Sequence, residues 1–272
     1  MKKKQKSKSS IAIAFIAFLL LVNAALVACN ANSSKNKYYL AEKLLEDKKY
    51  EAAISEFQEV IDKEPFTELG RSALLKMAQI QHLYLGRAKE AEVNYELFLK
   101  RNKDESIKSE IEKTLAKLSF EIFEDYQKAI VRYKQLLEKY PNDAMADQYS
   151  FNIARAYYLL SKFDEAKSSF EDVQKQFPNS IFSQKASLEM ANVMAANGDC
   201  EEAIKQYDKV SLTKDENLIS LAKFGKASCL EEIGDLDGAY EKLQEIKESY
   251  PAPVIVDLKM KKIKRRKILR RR

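Results

Sequence analysis

Few side chains in this sequence are of types that carry out chemistry, and their spacing decides what they can do. There are three cysteines, Cys29, Cys200 and Cys229, and one histidine, His82. A metal centre needs several His, Cys or carboxylate groups at ligand spacing, and none surrounds His82 or the cysteines. His82 is therefore expected to be a packing or surface residue. Gly225-Lys226 has the last two letters of a phosphate-binding loop, but Ser220 stands where its first glycine belongs and Ala227 where a hydroxyl would hold magnesium. Glu201-Glu202 and Glu231-Glu232 are adjacent acids, which point apart on a helix and make no acid–base pair. The sequence thus predicts no enzyme, no cofactor and no metal, and a function carried by binding.

Cys29 has a different setting. Residues 1–10 carry five lysines and no acid, and residues 11–28, IAIAFIAFLLLVNAALVA, contain no charge, Gly or Pro. A charged start and an apolar middle predict an export signal over residues 1–28. Eighteen apolar residues could also span a bilayer as an uncleaved anchor. Leu26-Val27-Ala28-Cys29 resembles the lipobox of bacterial lipoproteins. That resemblance implies cleavage before Cys29, alkylation of its thiol by a diacylglyceryl group, and a further acyl chain on the new amino terminus. Two or more chains make a stable anchor where one is marginal. Residues 29–37 then form a tether. By resemblance to Gram-negative lipoproteins, the lack of Asp at position 30 implies the periplasmic face of the outer membrane.

The elements that must carry any binding surface are helices. Six Gly, five Pro and no Trp, in a chain rich in Leu, Ala, Lys and Glu, predict an all-α fold. An internal repeat organises it. Tyr50-x-x-Ala53-x-x-x-Phe57 recurs at Ala88/Ala91/Tyr95, Tyr126/Ala129/Tyr133, Phe163/Ala166/Phe170, Cys200/Ala203/Tyr207 and Leu236/Ala239/Leu243. A small residue, Ala41, Ala78, Ala116, Ala154, Ala191 or Ala227, precedes each motif alanine by twelve or thirteen positions. Four copies close on Pro65, Pro141, Pro178 or Pro251; Lys103 and Asp215 take that place in the second and fifth. Ala, an aromatic one turn on and a further apolar residue at Val60, Phe98, Leu136, Val173, Val210 or Ile246 form one helical stripe. Gly86, Gly198 and Gly234 stand where the first helix of a pair reverses into the second, and Pro178-Asn179-Ser180 ends one pair and caps the next. Such a pair cannot bury its apolar face alone, so about six helix-turn-helix units stacked as a solenoid are predicted over residues 38–253.

This array resembles tetratricopeptide repeats (TPRs), with a period longer than the usual ~34 residues. The closing strings KYPND and KQFPNS are similar to those of bacterial envelope members. The resemblance implies a scaffold that binds proteins. Within the family, YYLAEKLLEDKKYEAAISEFQEVIDKEPF and ALLKMAQIQHLYLGRAKEAEVNYELFLKR resemble the opening repeats of the BamD lipoproteins, matching at Ala41, Tyr50, Ala53, Phe57, Pro65 and Phe66. This implies a component of outer-membrane protein assembly. The later repeats are similar to the CpoB type, which implies coordination of peptidoglycan synthesis with envelope constriction and Tol-Pal. The six-repeat pilotin lipoproteins of type IV pili are a third relative. Lys103 departs from the pattern, and the C-terminal tail has no counterpart in it.

Three further groups follow from placement on this array. Tyr84, Tyr149, Tyr157 and Tyr158 are the aromatics that the repeat positions do not account for, so they are candidates for a partner groove, with core packing as the alternative. Cys200 and Cys229 fall at neighbouring helix ends, expected to be small buried residues, with a disulfide as the alternative in an oxidising compartment. The last group is the tail, residues 254–272. Removing five lysines with the signal from 47 basic groups leaves 42 against 41 acidic ones, and ten of the 42 lie in LKMKKIKRRKILRRR at 258–272. Lys261, Lys262, Lys264, Arg265, Arg266, Lys267, Arg270, Arg271 and Arg272 are therefore candidates for contact with an anionic surface: lipid headgroups, cell wall or the acidic body itself. Export excludes nucleic acid as the partner. A structural envelope-binding lipoprotein acting through this tail is the reading from a different class. Val256, Met260 and Ile263 at i, i+4 and i+7 predict a last helix packed on repeat six.

Overall fold

The computed structural model describes residues 33–270. Cys29, the apolar run 11–28, Arg271 and Arg272 lie outside the described residues. The fold is helical, with no strand among the described residues. In chain order the helices are α1 (33–46), α2 (Tyr50–Lys63), α3 (Glu68–Leu83), α4 (Ala88–Arg101), α5 (Glu105–Lys117), α6 (Tyr126–Lys139) and α7 (Ala146–Leu159). They continue as α8 (Phe163–Gln176), α9 (Ile181–Ala196), α10 (Cys200–Val210), α11 (Glu216–Ile233), α12 (Leu236–Glu245) and α13 (Pro253–Arg270). Helix α1 already begins at residue 33, so the segment expected as a tether up to residue 37 is helical over its last five positions. Lys37 there is ion-paired to Glu56 and Glu59 of α2.

The repeat motif sets where each pair reverses. Tyr50, Ala88, Tyr126, Phe163, Cys200 and Leu236 are each the first residue of a helix. Two residues earlier the backbone takes a positive φ in every copy: Lys48 (60°), Gly86 (64°), Glu124 (51°), Ser161 (57°), Gly198 (89°) and Gly234 (92°). The turn therefore demands a left-handed residue whether or not a glycine supplies it. A side chain in that conformation costs about 1–2 kcal/mol.

The interior follows the same motif. All six motif alanines and all six preceding alanines are fully buried, which lets paired helices approach closely. The aromatic or Leu one turn on is at most 3% exposed in every copy. Gly225, within α11, has a packing reason of its own: a Cβ there would stand 2.4 Å from the Tyr207 ring. It makes room for the repeat-five aromatic and opens no phosphate loop. The two repeats lacking a closing proline start the next helix with aspartate. Asp104 accepts a hydrogen bond from the Ser106 amide, and Asp215 accepts from the amides of Asn217 and Leu218.

The chain divides into two compact units, up to Ile111 and from Glu112, with the division inside α5. In the first, α2 packs on α3 and α3 on α4. In the second, each helix from α6 to α12 packs on the next, and the first helices of pairs, α7, α9 and α11, also touch in sequence. Contacts between neighbours only are what a stack of repeats produces. The end of α5 widens into a π turn over Leu118–Ile122. Arg132 donates to the Leu115 carbonyl (2.9 Å) and to Ser119 Oγ (2.8 Å) there. Such turns free carbonyls that a side chain then satisfies.

Candidate functional site

A groove lies beside these helices in each unit among the described residues. In the second unit a shallow groove of about 770 Å³ runs between α6 and α8 over the middle and end of α7. Leu137 and Ile153 form its apolar floor and Tyr157 its aromatic wall. Lys134 donates to Tyr157 Oη (2.9 Å) and stands over the ring at 5.4 Å. Asp164, Glu165 and Asp172 of α8 face it, exposed and without an ion pair among the described residues. Three acids against one lysine make the groove acidic.

In the first unit a groove of about 680 Å³ lies between the start of α3 and the end of α4. Phe98 and Leu75 form its floor, and Phe66, 75% exposed, stands at its rim. Arg71 donates to the Phe66 carbonyl (2.6 Å), and the Arg101 guanidinium sits 5.4 Å from the Phe66 ring centre. Nη1 of Arg101 is buried and has no hydrogen-bond partner among the described residues. Lys100 and Lys103 add charge, so four cations outnumber Glu68 and Asp104. Guanidinium forks and an apolar floor suit a carboxylate next to a bulky side chain.

The tyrosines expected in one groove do not gather there. Tyr149 is corrected to the core: it is 3% exposed, stacked on Tyr133 at 5.7 Å and bonded to Asp143. Tyr158, partly buried, packs against the core cluster of α7–α9 and against Phe163 at 6.0 Å, and burial raises its phenol pKa. Tyr84, in the first unit, is exposed at the end of α3 but stacked on Tyr50, the first residue of α2 (4.8 Å, 13°). Of the four, Tyr157 lines a groove. His82 meets Tyr95 Oη at 3.4 Å and packs edge-on to its ring. No cluster of three or more His, Cys or carboxylates able to hold a metal occurs among the described residues.

Cys200 and Cys229 do come together. Both are buried free thiols in one apolar cluster, hydrogen-bonded to each other, and Cys200 Sγ lies 3.5 Å from Glu232 Oε2. Burial first, then the neighbouring thiol and carboxylate, pushes the Cys200 pKa up to about 12. Thiols so placed are poor nucleophiles.

The basic tail is helix α13, and several of its cations turn inward. Val256, Met260 and Ile263 are buried against α12 and α11. Glu231 of α11, 5% exposed, receives Lys259 (3.0 Å), Lys262 (3.5 Å) and Arg266 (2.6 Å). Burial opposes its charge, but the hydrogen bonds from Lys259 and Arg266 outweigh it and hold the carboxyl at about 2. Lys267 pairs with Asp237, Arg270 donates to the Gly234 carbonyl (2.9 Å), and Lys264 stands over Tyr240. Glu231, half of an adjacent acid pair in the sequence, is thus the anchor of the last helix.

A stack of helical pairs with open grooves beside them defines a helical-repeat scaffold. Residues 123–214 and 164–259 match the family described as tetratricopeptide repeat-like domain, together covering half of the chain, and the chain belongs to that family. Its fold binds peptides or proteins. A TPR repeat-containing protein of Methanocaldococcus jannaschii is 30% identical in a 158-position alignment that covers 47% of this chain and 27% of that relative. The chain therefore spans about a quarter of that relative's length. Among solved structures, a tetratricopeptide repeat protein from Parabacteroides merdae is 18% identical with a TM-score of 0.54, covering 79% of each chain. The C-terminal part of a TPR repeat-containing protein from Cytophaga hutchinsonii is 17% identical with a TM-score of 0.55, covering 78% of each. At these identities the likeness is one of fold.

Proposed function

We propose that the protein is a lipid-anchored scaffold on the periplasmic face of the outer membrane, acting in outer-membrane protein assembly in the manner of the BamD lipoproteins. The acidic groove beside Tyr157 carries the binding part of this reading. Its three unpaired carboxylates and apolar floor suit an extended or helical segment bearing Lys or Arg next to an apolar side chain. The assembly role is supported by the sequence of the first two repeats, and the anchor by Leu26-Val27-Ala28-Cys29.

The test is affinity capture from solubilised membranes with wild type, Cys29→Ala and the double variant Asp164→Lys/Asp172→Lys. Barrel-assembly proteins should be recovered with wild type, be lost with the groove variant, and fall away with Cys29→Ala, which should leave the membrane fraction on washing with 1 M salt while wild type stays. Recovery of Tol-Pal components or cell-wall synthases in their place overturns the assembly role in favour of a CpoB-like coordinator. Recovery of type IV pilus secretin would instead indicate a pilotin.

A further inference from the structure

We propose that the outer face of α13 is a docking surface for an anionic lipid bilayer. Val254, Leu258, Lys261, Arg265 and Leu269 follow one another at i, i+4, i+7, i+11 and i+15, so they form one stripe. It lies opposite Val256, Met260 and Ile263, which are buried. Val254 is 69% exposed, Leu258 59% and Leu269 69%, and Lys261 and Arg265 are exposed with no carboxylate partner among the described residues. No acid lies on the stripe; Asp257, to one side, pairs with Lys247. The inward cations hold the helix on Glu231 and Asp237. The outward Lys261 and Arg265 have no ion-pair partner among the described residues.

Charge complementarity selects the occupant. Apolar side chains alternating with cations on one face are the composition of helices that lie in the headgroup region, where leucines enter the acyl boundary and lysines meet phosphates. Another stacked repeat does not fit. Helix α11, which has neighbours on two sides, buries six residues, among them Leu218, Ala222, Ala227 and Cys229. The free face of α13 has Lys261 and Arg265 at its centre, and covering them with a further repeat would bury two unpaired charges. A bilayer of anionic lipid neutralises them instead. The proposal goes beyond the assembly role and does not depend on it.

The experiment uses the chain from Asn30 onward, which holds every described helix and lacks Cys29, with vesicles of phosphatidylcholine containing 30% phosphatidylglycerol. Wild type should co-sediment with these vesicles at 0.1 M salt, be released at 1 M, and ignore pure phosphatidylcholine. A cation beside an anionic surface multiplies affinity about fivefold, so Lys261→Glu/Arg265→Glu should lower partitioning at least about 30-fold. Leu258→Ser/Leu269→Ser should also lower it, with helical content and melting temperature kept in both variants. Lys43→Glu/Lys89→Glu, an equal charge change on exposed residues of the first unit, should leave binding intact. Equal loss in that control, equal binding to neutral vesicles, or a Leu258-dependent dimer in the absence of lipid would each overturn the proposal, the last by making a second copy the occupant.

Discussion

Repeats two and four share one motif, yet the grooves beside them carry opposite charge. The first-unit groove forms at the end of α4, where Lys100 and Arg101 occupy the last turn. The second-unit groove forms along α8 from its start, where Asp164 and Glu165 occupy the first turn. Cations favour helix C-termini and anions N-termini, because the aligned peptide dipoles leave partial charges there. Each groove thus takes its sign from the helix end it exposes, while the motif fixes only what is buried. The second unit is also the one with the basic helix, and Lys259, Lys262 and Arg266 of that helix are fastened to Glu231 on α11, away from the groove residues. One repeat can present two kinds of site because its charge sits at positions the packing leaves free.

Breaking the Glu231 cluster should have the largest effect. Glu231→Gln leaves Lys259, Lys262 and Arg266 facing a neutral amide. The shift from the ordinary 4.5 to about 2 corresponds to roughly 3 kcal/mol, or a melting temperature lower by roughly 6–12 °C for a unit of this size. Because the folded value lies below the unfolded one, this stability is fully present above about pH 5 and is lost as the pH falls toward 2. Thermal melts of wild type and Glu231→Gln from pH 7 to 2 should converge on acidification, and parallel curves would remove Glu231 from this role. Next in size is the groove charge. Asp164→Lys/Asp172→Lys should weaken binding of pentalysine about tenfold by fluorescence anisotropy, whereas Arg101→Glu/Lys103→Glu should not weaken it at all. Equal effects would mean that the peptide responds to net charge and the contrast between grooves has no local meaning.

What the sequence revealed divides along the same line. The six motif starts coincide with six helix starts, and the twelve alanines with fully buried positions, because a 3.6-residue stripe and a fixed period determine packing. For Tyr149 and Tyr158 the sequence leaves groove and core both open, because a tyrosine outside the motif can still fill the space between first helices; Tyr149 takes the core and Tyr158 packs partly buried against it. The basic groove was missed, although Lys100-Arg101-Asn102-Lys103 standing where other copies close on proline was its signal. Glu231 was legible only as a solvated acid: the Val256, Met260 and Ile263 stripe predicts that the last helix docks, but not which acid its cations meet twenty-eight to thirty-five residues away.

Smaller effects should separate the turns of the two units. Gly86→Ala in the first puts a side chain at φ 64° and should cost about 1 kcal/mol in urea melts. Ser161→Gly in the second relieves the same strain, and after the added backbone entropy of the unfolded chain it should stabilise by about 0.5 kcal/mol. Equal signs would show that the turn conformation is set by contacts other than the left-handed residue.

The least perturbation is expected at Cys200 and Cys229. With the Cys200 pKa near 12 and Cys229 raised by burial, the thiolate fraction at pH 8 is very small, and neither sulfur is open to reagent. In a Cys29→Ala chain, iodoacetamide at pH 8 should label neither thiol while the protein is folded and both in 8 M urea. Under non-reducing conditions the two should also be recovered as thiols, since the apolar cluster around them keeps oxidant as well as alkylating agent out. Rapid labelling of the folded chain would mean that the α10–α11 cluster opens, and that the second unit is held mainly by Glu231 and α13 instead of by its repeat interior.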